Sequence, residues 1–464
     1  MTSSRREFLL SSVSFAAAPA PRRPPNVVMF MTDDHGAWAN GCYGCPEIHT
    51  PNIDRLAREG MRFDRAYACT PVCSPSRMTY ITGKLPSLHC VQDYLIPEDT
   101  AGSTARRWLD GHTTYTEILA RNGYTLGLSG KWHMGEDEKA QRGFSYWATV
   151  PGGGGTYRAP EFVRNGERVK SNRFKTDAVG DFAIEFIEQS KAKPFYLLVP
   201  FYAPHTPYDY QPAEYRKPYE NSKFTCYPRG SAHPDQNPSL KNHHNREESM
   251  RAYSALITGA DANIGRIVKR LEELGLRENT LVIFTADQGW NAGHHGVWGK
   301  GNGTVPFNMY EESLRVPLIW NHPGRIPAGS ATRAMVSSYD YFPTILDYLN
   351  IPSPVQTMGR SYKPVLSRPD ASWTRRRLFF EYAYVRGIRT ENLKYIERAA
   401  PYHSELYDLE ADPGETVNRV DDPAYRKQRE ALARELAAYF AKQGAPPLAD
   451  WKTTTRQKLF EYRK

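Results

Sequence analysis

Residues Asn26-Val27-Val28-Met29-Phe30-Met31-Thr32-Asp33-Asp34 form a continuous apolar run that ends in two acidic side chains. A short run that is apolar at every position is typical of a strand buried on both faces of a parallel sheet. The sequence predicts further strands at 125–128, 195–201, 281–284 and 316–320, and helices at 50–60, 177–189 and 251–274. Strands that alternate with helices indicate an α/β fold whose sheet is covered by helices on both faces.

Polar residues follow three of these predicted strands, after Met31, Phe201 and Phe284. Ligands of α/β sheets bind beyond the carboxyl ends of the strands, so we expect the functional site at this edge. The glycine run Gly152–Gly155 and the polar stretch 211–248 are predicted to be long loops on the same side.

A change in composition near residue 370 predicts a second, smaller domain. Segments 378–389 and 393–398 are expected to pair as a hairpin, and an amphipathic helix is expected to begin at Asp422 and end at Gly444. We therefore predict a signal and proline-rich linker at 1–25, a catalytic domain at 26–370 and a C-terminal α+β domain at 371–464.

The overall composition excludes several classes of protein. The chain has 464 residues, of which 60 are Lys or Arg, 51 are Asp or Glu and six are Cys, with a net charge of +9. A mean hydropathy of −0.63 without a long apolar run predicts no membrane span. Six cysteines are too few for a disulfide scaffold, and the apolar and aromatic content excludes disorder over most of the chain. No nucleic-acid-binding module is present, so we expect no nucleic-acid partner.

The N-terminal residues carry a predicted export signal. Ser4-Arg5-Arg6-Glu7-Phe8-Leu9-Leu10 resembles a twin-arginine signal, and Ala16–Ala20 contains small-residue cleavage sites. The signal predicts a protein exported to the periplasm or the extracellular space, and a disordered basic leader is the alternative interpretation.

The segment with the most specific chemistry is Cys73-Ser74-Pro75-Ser76-Arg77, which is followed by Thr82-Gly83. From chemistry alone, a cysteine at a helix start is expected to have an acidified thiol. The pattern resembles the signature of the type I, formylglycine-dependent sulfatases of the alkaline phosphatase superfamily. In that family a maturation enzyme oxidises the cysteine to formylglycine, and the hydrated aldehyde is the nucleophile.

Further segments resemble the same family in the same order along the chain. They are Gly123–His133, Ala203–Pro207, Thr285–Gly289, Gly299–Gly301 and Glu405–Glu415, and the resemblance covers residues 26 to about 445. It implies the family's fold, a large mixed, mostly parallel sheet flanked by helices on both faces, with a smaller C-terminal α+β domain.

The resemblance also implies a metal site. A hard divalent cation takes oxygen ligands, and the implied metal is calcium, with magnesium as the alternative. The implied ligands are Asp33, Asp34, Cys73 as formylglycine, Asp287 and Gln288. Gln288 departs from the Asn or His often found at its position, and it is either a ligand through its amide oxygen or a simple polar loop residue.

The implied catalytic residues are Cys73, Arg77, Lys131, His133, His205 and Lys300. The three cations would hold the hydrated aldehyde and the sulfate oxygens as fixed positive groups. His133 would take a proton from the second hydroxyl, a task that suits a near-neutral pKa. His205 would bind sulfate and protonate the leaving oxygen, a role that Asp287 could share.

Several other residues allow two interpretations. His35, His294 and His295 flank the metal segments and either contact substrate or make ordinary hydrogen bonds. The pair Cys42 and Cys45 is predicted to be two ordinary thiols, because no second cysteine pair completes a zinc site. The remaining cysteines carry no signal, and a disulfide after export stays open. Five basic residues of the polar stretch form a further group, which lines either a subsite for an acidic glycan or a solvated loop. They are Arg229, Lys241, His243, His244 and Arg246.

We therefore predict a hydrolase of sulfate monoesters, with sulfated carbohydrates as the expected substrates and a formylglycine-generating enzyme as the maturation partner. One alternative is a phosphodiesterase or phosphonate monoester hydrolase of the same superfamily, because sulfate and phosphate esters share a tetrahedral shape. The other is an inactive protein that binds sulfated glycans, which would be expected to lack site residues.

Overall fold

The structure is a computed structural model that describes residues 23–453. Within these residues, ten strands form one mixed sheet. In order across the sheet they are β13 (Ser330–Thr332), β2 (Met61–Phe63), β12 (Leu318–Asn321), β9 (Thr280–Ala286), β1 (Asn26–Thr32), β8 (Phe195–Pro200), β4 (Thr125–Gly130), β5 (Phe144–Thr149), β6 (Glu161–Arg164) and β7 (Glu167–Lys170). The five strands from β9 to β5 run parallel, whereas β12 and β6 pair antiparallel with their neighbours. The predicted fold class is confirmed.

Strand β1 shows why the sheet is covered on both faces. Every residue of this strand is buried. Val27, Met29 and Met31 pack into one apolar core, and Val28 and Phe30 pack into a second core on the opposite face. Because side chains alternate along a strand, a strand that is apolar at every position requires a core on each side.

The structure describes twelve α-helices, several of which contribute to these two cores. In the described residues they are α1 (Pro51–Arg58), α2 (Cys73–Thr82), α3 (Pro86–His89), α4 (Pro97–Thr100), α5 (Tyr115–Arg121), α6 (Lys175–Ser190), α7 (Ala213–Arg216), α8 (Glu247–Glu273), α9 (Glu311–Leu314), α10 (Tyr341–Tyr348), α11 (Lys363–Ser367) and α12 (Arg426–Lys442). Residues of α2, α5 and α10 pack on one face of the sheet, and residues of α1, α6 and α8 pack on the other. The predicted helix at 251–274 begins four residues earlier, at Glu247.

The C-terminal region contains a separate antiparallel sheet of four strands, β15 (Leu378–Tyr382), β16 (Val385–Arg389), β17 (Leu393–Arg398) and β18 (Glu405–Asp408). The prediction of a single hairpin arm at 378–389 is wrong, because the chain turns at Ala383 and Tyr384 and divides this segment into two paired strands. The predicted helix is present as α12, and its Leu432 and Leu436 pack on this sheet. Two-stranded ribbons join β3 (Ala66–Tyr67) to β14 (Val336–Ser337), and β10 (Asn291–Ala292) to β11 (Trp298–Gly299).

One cysteine prediction is corrected by the structure. Cys45 and Cys226 form a disulfide across 181 residues of sequence, so Cys45 is not an ordinary thiol. The bond links the segment after β1 to the long polar loop, which the sequence spacing does not reveal. The predicted export signal lies outside the described residues, and within residues 23–453 no helix is both long and apolar enough to cross a membrane.

Candidate active site

Neighbouring parallel strands end together and bring the predicted site residues to one edge of the sheet. Met31 of β1 pairs with Pro200 of β8 and with Thr285 of β9, so these strand ends are level. The segments after the strand ends carry Asp33 and Asp34 (β1), Lys131 (β4), His205 (β8), and Asp287 and Gln288 (β9). This is the edge at which α/β sheets bind ligands, and it is the edge that the sequence predicts.

Three carboxylates and three cations form the centre of the site. All six side chains are buried, and they belong to Asp33, Asp34, Asp287, Arg77, Lys131 and Lys300. Nζ of Lys131 lies 2.6 Å from Oδ2 of Asp33, and Nζ of Lys300 lies 2.6 Å from Oδ1 of Asp34. Nη2 of Arg77 lies 2.7 Å from Oδ2 of Asp287 and 3.1 Å from Oδ2 of Asp33. Because these formal charges cancel, an added divalent cation makes the centre positive and suited to an anionic ester.

The aspartates of this centre differ in pKa. Burial favours the protonated form of Asp33, but the ammonium groups of Lys131 and Lys300 outweigh this effect and hold its pKa well below the usual range. Burial and the nearby charge of Asp33 raise the pKa of Asp287 to about 7. The two carboxylates therefore behave differently although both contact Arg77.

Cys73 is the first residue of α2, and only 3% of its surface is exposed. The helix start is fixed against the charged centre, because Ser76 donates a hydrogen bond to the carbonyl of Asp287 and Arg77 contacts the Asp287 carboxylate. Burial raises the pKa of the Cys73 thiol, although Lys300 and Lys131 act to lower it. The expected acidification of the unmodified thiol is therefore wrong.

The donors around Asp33 and Asp34 fit a hard divalent cation. Ligand atoms of Asp33, Asp34 and His205 lie within 4.8 Å of one another. Nε2 of Gln288 donates hydrogen bonds to Oδ1 of Asp34 at 2.7 Å and Oδ1 of Asp33 at 3.1 Å. Oε1 of Gln288 is buried, and no residue in the range 23–453 hydrogen-bonds to it. Rotating the amide by half a turn directs this oxygen toward both carboxylates, so Gln288 has the chemistry of a ligand and is not a solvent-facing loop residue.

Asp287 and Cys73, the other two predicted ligands, do not belong to this three-residue group. Oδ1 of Asp287 accepts a hydrogen bond from the Gln288 backbone at 2.9 Å, and its Oδ2 faces Arg77. Both residues nevertheless lie at the same centre, because Arg77 joins Asp287 to Asp33 and the charges of Lys300 and Lys131 affect the pKa of the Cys73 thiol.

His133 lies three residues after β4 in a left-handed backbone conformation, with φ of 57°. Its Nε2 lies 2.8 Å from the carbonyl oxygen of Leu95. Since a carbonyl only accepts, Nε2 carries the hydrogen and Nδ1 is the basic nitrogen. Nδ1 is buried without a hydrogen-bond partner in the described part of the chain. Burial, reinforced by Lys131, lowers the pKa of His133 well below its usual value, so the near-neutral pKa suggested by its role is not observed.

The glycine run packs directly on His133, which sequence analysis missed. A Cβ atom added to Gly153 would lie 2.1 Å from Cδ2 of the His133 ring, so only glycine allows this contact. Nζ of Lys175, the first residue of α6, donates hydrogen bonds to the carbonyls of Gly154 at 3.0 Å and Gly155 at 2.7 Å. Lys175 therefore holds the run in place against the histidine.

Tyr202 connects three basic side chains and was also missed. Its ring stacks on that of His205 with centroids 4.9 Å apart. Nζ of Lys131 lies 5.2 Å and Nζ of Lys175 4.1 Å from the Tyr202 centroid. Nε2 of His205 lies 3.7 Å from Oδ2 of Asp34, and burial lowers the pKa of His205 to about 4. The only sequence signal for Tyr202 is its position just after β8.

The other candidate histidines make ordinary contacts. His35 is fully buried and lies 3.0 Å from the hydroxyl of Thr32. The ring of His294 packs on Trp38, and Nε2 of His295 lies 2.7 Å from Oε2 of Glu312.

The basic residues of the polar loop have different contacts in the structure. His243 packs on Tyr208, with centroids 5.1 Å apart, and on Trp298. Arg229 pairs with Glu247, the His244 ring contacts a backbone carbonyl, and Lys241 and Arg246 are exposed. The subsite for an acidic glycan stays a prediction.

Buried cations around Cys73, beside paired carboxylates, suit the transfer of a tetrahedral oxyanion group, as in a hydrolase of sulfate or phosphate esters. Comparison with known proteins narrows this class. The profile of the sulfatase family matches residues 25–351, and that of the C-terminal part of N-sulphoglucosamine sulphohydrolase matches residues 293–442. The chain belongs to the sulfatase family.

Sulfatases that are similar to this chain match it over most of its length. An N-acetylglucosamine-6-O-sulfatase of Bacteroides thetaiotaomicron is 29% identical over 92% of this chain and 89% of its own length. An ulvan-active sulfatase of Formosa agariphila is 27% identical over 90% of this chain and 82% of its own length. The solved structure of BT4656 in complex with its substrate D-glucosamine-2-N,6-O-disulfate has a TM-score of 0.79 and 27% identity, and the match covers 92% of this chain and all of that one.

A phosphonate monoester hydrolase of Agrobacterium radiobacter shares the fold, with a TM-score of 0.71, 22% identity and coverage of 90% of this chain and 96% of that one. At this identity the likeness concerns the fold alone. The family match and the more similar relatives support the sulfatase assignment over the phosphonate hydrolase alternative.

Proposed function

We propose that this sulfatase uses a formylglycine formed from Cys73 to hydrolyse sulfate monoesters to an alcohol and inorganic sulfate. The proposal is supported by the burial of Cys73 at the start of α2, where the charges of Lys131, Lys300 and Asp33 affect the pKa of its thiol. The modified residue supplies a hydrated aldehyde, which is the nucleophile for sulfur. Its formation requires a formylglycine-generating enzyme as the maturation partner.

The chain's own residues bind the ester and move protons. Lys131 and Lys300 neutralise the negative charge of the sulfate oxygens, a stabilisation that is strong in a buried site. Nδ1 of His205 donates to the carbonyl of Thr206, so Nε2, which lies near Asp34, can donate to the sulfate or to the leaving oxygen only when the ring is doubly protonated. His133 accepts a proton at Nδ1, because its Nε2 is engaged by Leu95.

Asp33, Asp34 and Gln288 are the residues that would hold a divalent cation, and the family resemblance adds Asp287 and residue 73. We propose calcium, with magnesium as the alternative. The cation supplies Lewis-acid stabilisation of charge on a sulfate oxygen. Arg77 keeps the carboxylates of Asp33 and Asp287 in position through its two contacts.

We propose sulfated carbohydrates as the substrate class. Support comes from the N-acetylglucosamine-6-O-sulfatase and the ulvan-active sulfatase among the relatives, and from the disulfated glucosamine bound in the similar structure. We also propose that the protein is exported. The twin-arginine pattern supports this location, and so does the disulfide between Cys45 and Cys226, because disulfides persist in oxidising compartments.

The test combines two measurements on protein produced together with a formylglycine-generating enzyme and supplied with calcium. Ion chromatography follows anions released from sulfated oligosaccharides, aryl sulfate, choline sulfate and phosphate diesters, and mass spectrometry follows the peptide that contains Cys73. We expect sulfate release from a sulfated sugar, together with the mass change of the modification, and loss of turnover in Cys73→Ser produced in a host that does not oxidise serine.

Other outcomes favour the alternatives. Phosphate release without sulfate release would support the phosphodiesterase or phosphonate hydrolase. An unmodified Cys73 in protein from the native host, with binding but no hydrolysis of sulfated glycans, would support the inactive binding protein.

A further inference from the structure

A cleft lined by arginine lies between the catalytic domain and the C-terminal sheet, and we call it the arginine cleft. It has a volume of about 630 Å³, which is in the range of small-molecule sites, and none of the catalytic or metal residues named above lines it. The segments that form it are 42–44, 62–67, 311–315 and residue 333 on the catalytic side, and Arg389, Leu409 and Pro413 on the other. It is therefore a cavity separate from the site at Cys73.

Positive charge predominates in the arginine cleft, because five arginines and three carboxylates line it. Each of the three carboxylates already has a basic partner. Asp64 lies 2.9 Å from Nε of Arg62, Glu311 lies 3.1 Å from Nε of Arg389, and Glu312 lies 2.7 Å from Nε2 of His295. None of these acids is left to compensate the remaining arginines.

Two arginines of the cleft, Arg315 and Arg333, have no ion-pair partner in the part of the chain that the structure describes. Arg315 is half-buried, and its Nε atom is fully buried with no hydrogen-bond partner within residues 23–453. It lines the cleft together with Tyr43 and Tyr67. A half-buried guanidinium without a partner is unfavourable unless a ligand or solvent satisfies it.

We propose that the arginine cleft is a second anion-binding site, which takes a ligand with sulfate, phosphate or carboxylate groups through Arg315 and Arg333. The planar guanidinium presents several donors in the geometry that such oxyanions accept. Arg65 is available as a third contact, because its partner Glu391 is 61% exposed and their ion pair is easily exchanged. This proposal does not depend on the chemistry at Cys73.

The experiment is isothermal titration of full-length protein with two probes at low ionic strength, inorganic sulfate and a heparin-derived disaccharide with three sulfate groups. All titrations use the Cys73→Ala background, so that neither probe is turned over. Arg333→Ala and Arg315→Gln are compared with Arg434→Ala, a control that removes an exposed arginine of α12, which forms no ion pair with any residue in the range 23–453.

Besides binding at the active site, we expect a second binding event that Arg333→Ala and Arg315→Gln each weaken at least tenfold and that Arg434→Ala leaves unchanged. If both probes bind, a free anion is sufficient as the ligand of the cleft. If only the disaccharide binds, the ligand is a sulfated saccharide. Binding to both cleft variants as tight as to the control, or no binding of either probe to the background protein, overturns the proposal. If Arg315→Gln fails to fold, the exposed Arg333 decides the outcome alone.

Discussion

At the scale of single residues, the amide of Gln288 lies where two neighbouring strand ends meet. It joins Asp33 and Asp34, which follow β1, to the segment after β9. Its Oε1 is buried without a hydrogen-bond partner within residues 23–453, and it has to turn toward the two carboxylates to bind a cation. The side chain therefore tests the metal site more selectively than either aspartate, whose removal also breaks ion pairs with Lys131 and Lys300.

We expect Gln288→Ala to weaken calcium binding by about tenfold, as is usual for groups that support a metal site. The lost activity should return at high calcium concentration, because the two carboxylates remain. Calcium titration of the metal-depleted enzyme, followed by sulfate release, measures the effect. Gln141→Ala, at another buried glutamine, is the control. A loss of activity that no calcium concentration restores would contradict a ligand role.

The contact between Gly153 and His133 gives a second prediction. We expect Gly153→Ala to reduce kcat by about 10²-fold with little change in KM, because a displaced proton acceptor loses its alignment with the reacting group. Gly152→Ala is a matched control, since both glycines have positive φ (69° and 66°) but a Cβ at Gly152 meets only Pro97 at 3.3 Å. Steady-state kinetics compare the two variants. Equal losses in both would show that backbone strain, and not the ring contact, is responsible.

The residues found from sequence and those missed differ in kind. Asp33, Cys73 and Lys300 carry short linear patterns that a family resemblance can transfer. Gly153 packs on His133 from another segment, and Tyr202 contacts Lys131 and Lys175 from two other segments. Contacts between distant segments leave no spacing pattern in the sequence. The raised pKa of Cys73 was missed for a related reason, because burial depends on elements distant in sequence.

At the scale of elements, Glu311 joins α9 to the C-terminal sheet. Its carboxylate lies 3.1 Å from Nε of Arg389 in β16 and 3.2 Å from Nζ of Lys394 in β17, and it accepts a hydrogen bond from Tyr67 at 2.9 Å. Burial acts to raise the pKa of Glu311, but Lys394 and Arg389 outweigh it and lower the value to about 2. The ion pairs therefore stabilise the folded state through the ionised carboxylate.

We expect Glu311→Gln to lower the free energy of unfolding by roughly 3 kcal/mol near neutral pH, from the size of the pKa shift. A carboxylate whose pKa is lowered on folding stabilises the protein above its unfolded pKa. The difference between wild type and variant should therefore be complete above pH 4.5 and decrease as the pH falls toward 2. Urea unfolding at several pH values measures it. A difference that does not change with pH would exclude this ionisation as its source.

The elements predicted from sequence were those with strong periodicity or a continuous apolar run. Strand β1 and helices α6 and α8 were found, because their patterns report burial directly. The division of 378–389 into two strands was missed, since the turn at Ala383 and Tyr384 contains no glycine, proline or asparagine. The two small ribbons were also missed, because strands of two residues are too short to show an alternation of apolar and polar side chains.

At the scale of the whole molecule, the C-terminal sheet shares an apolar core with the active-site helix. Cys73 belongs to the same buried cluster as Phe307, Phe380 and Tyr382. The Tyr382 ring stacks on Phe307 with centroids 4.5 Å apart. The two regions therefore have no separate cores at this boundary.

We expect a single cooperative unfolding transition for the full chain, because separating the regions would expose this shared core. Differential scanning calorimetry measures the transition, and the ratio of calorimetric to van't Hoff enthalpy should be near one. Two resolved transitions, with one that leaves the catalytic region folded, would contradict the prediction.

The burial of Cys73 determines when its thiol is accessible to a modifying enzyme. Every residue of α2 is buried, and the C-terminal sheet closes over its first turn. Under the proposed formylglycine chemistry, an enzyme that oxidises this sulfur would have no access to it once the chain has folded, so the modification would have to be made during or soon after synthesis. Each molecule would then receive one opportunity for activation, and a copy that folds with its cysteine intact would stay inactive until it is unfolded or degraded. The active fraction of a preparation would thus depend on the rate of modification relative to the rate of folding.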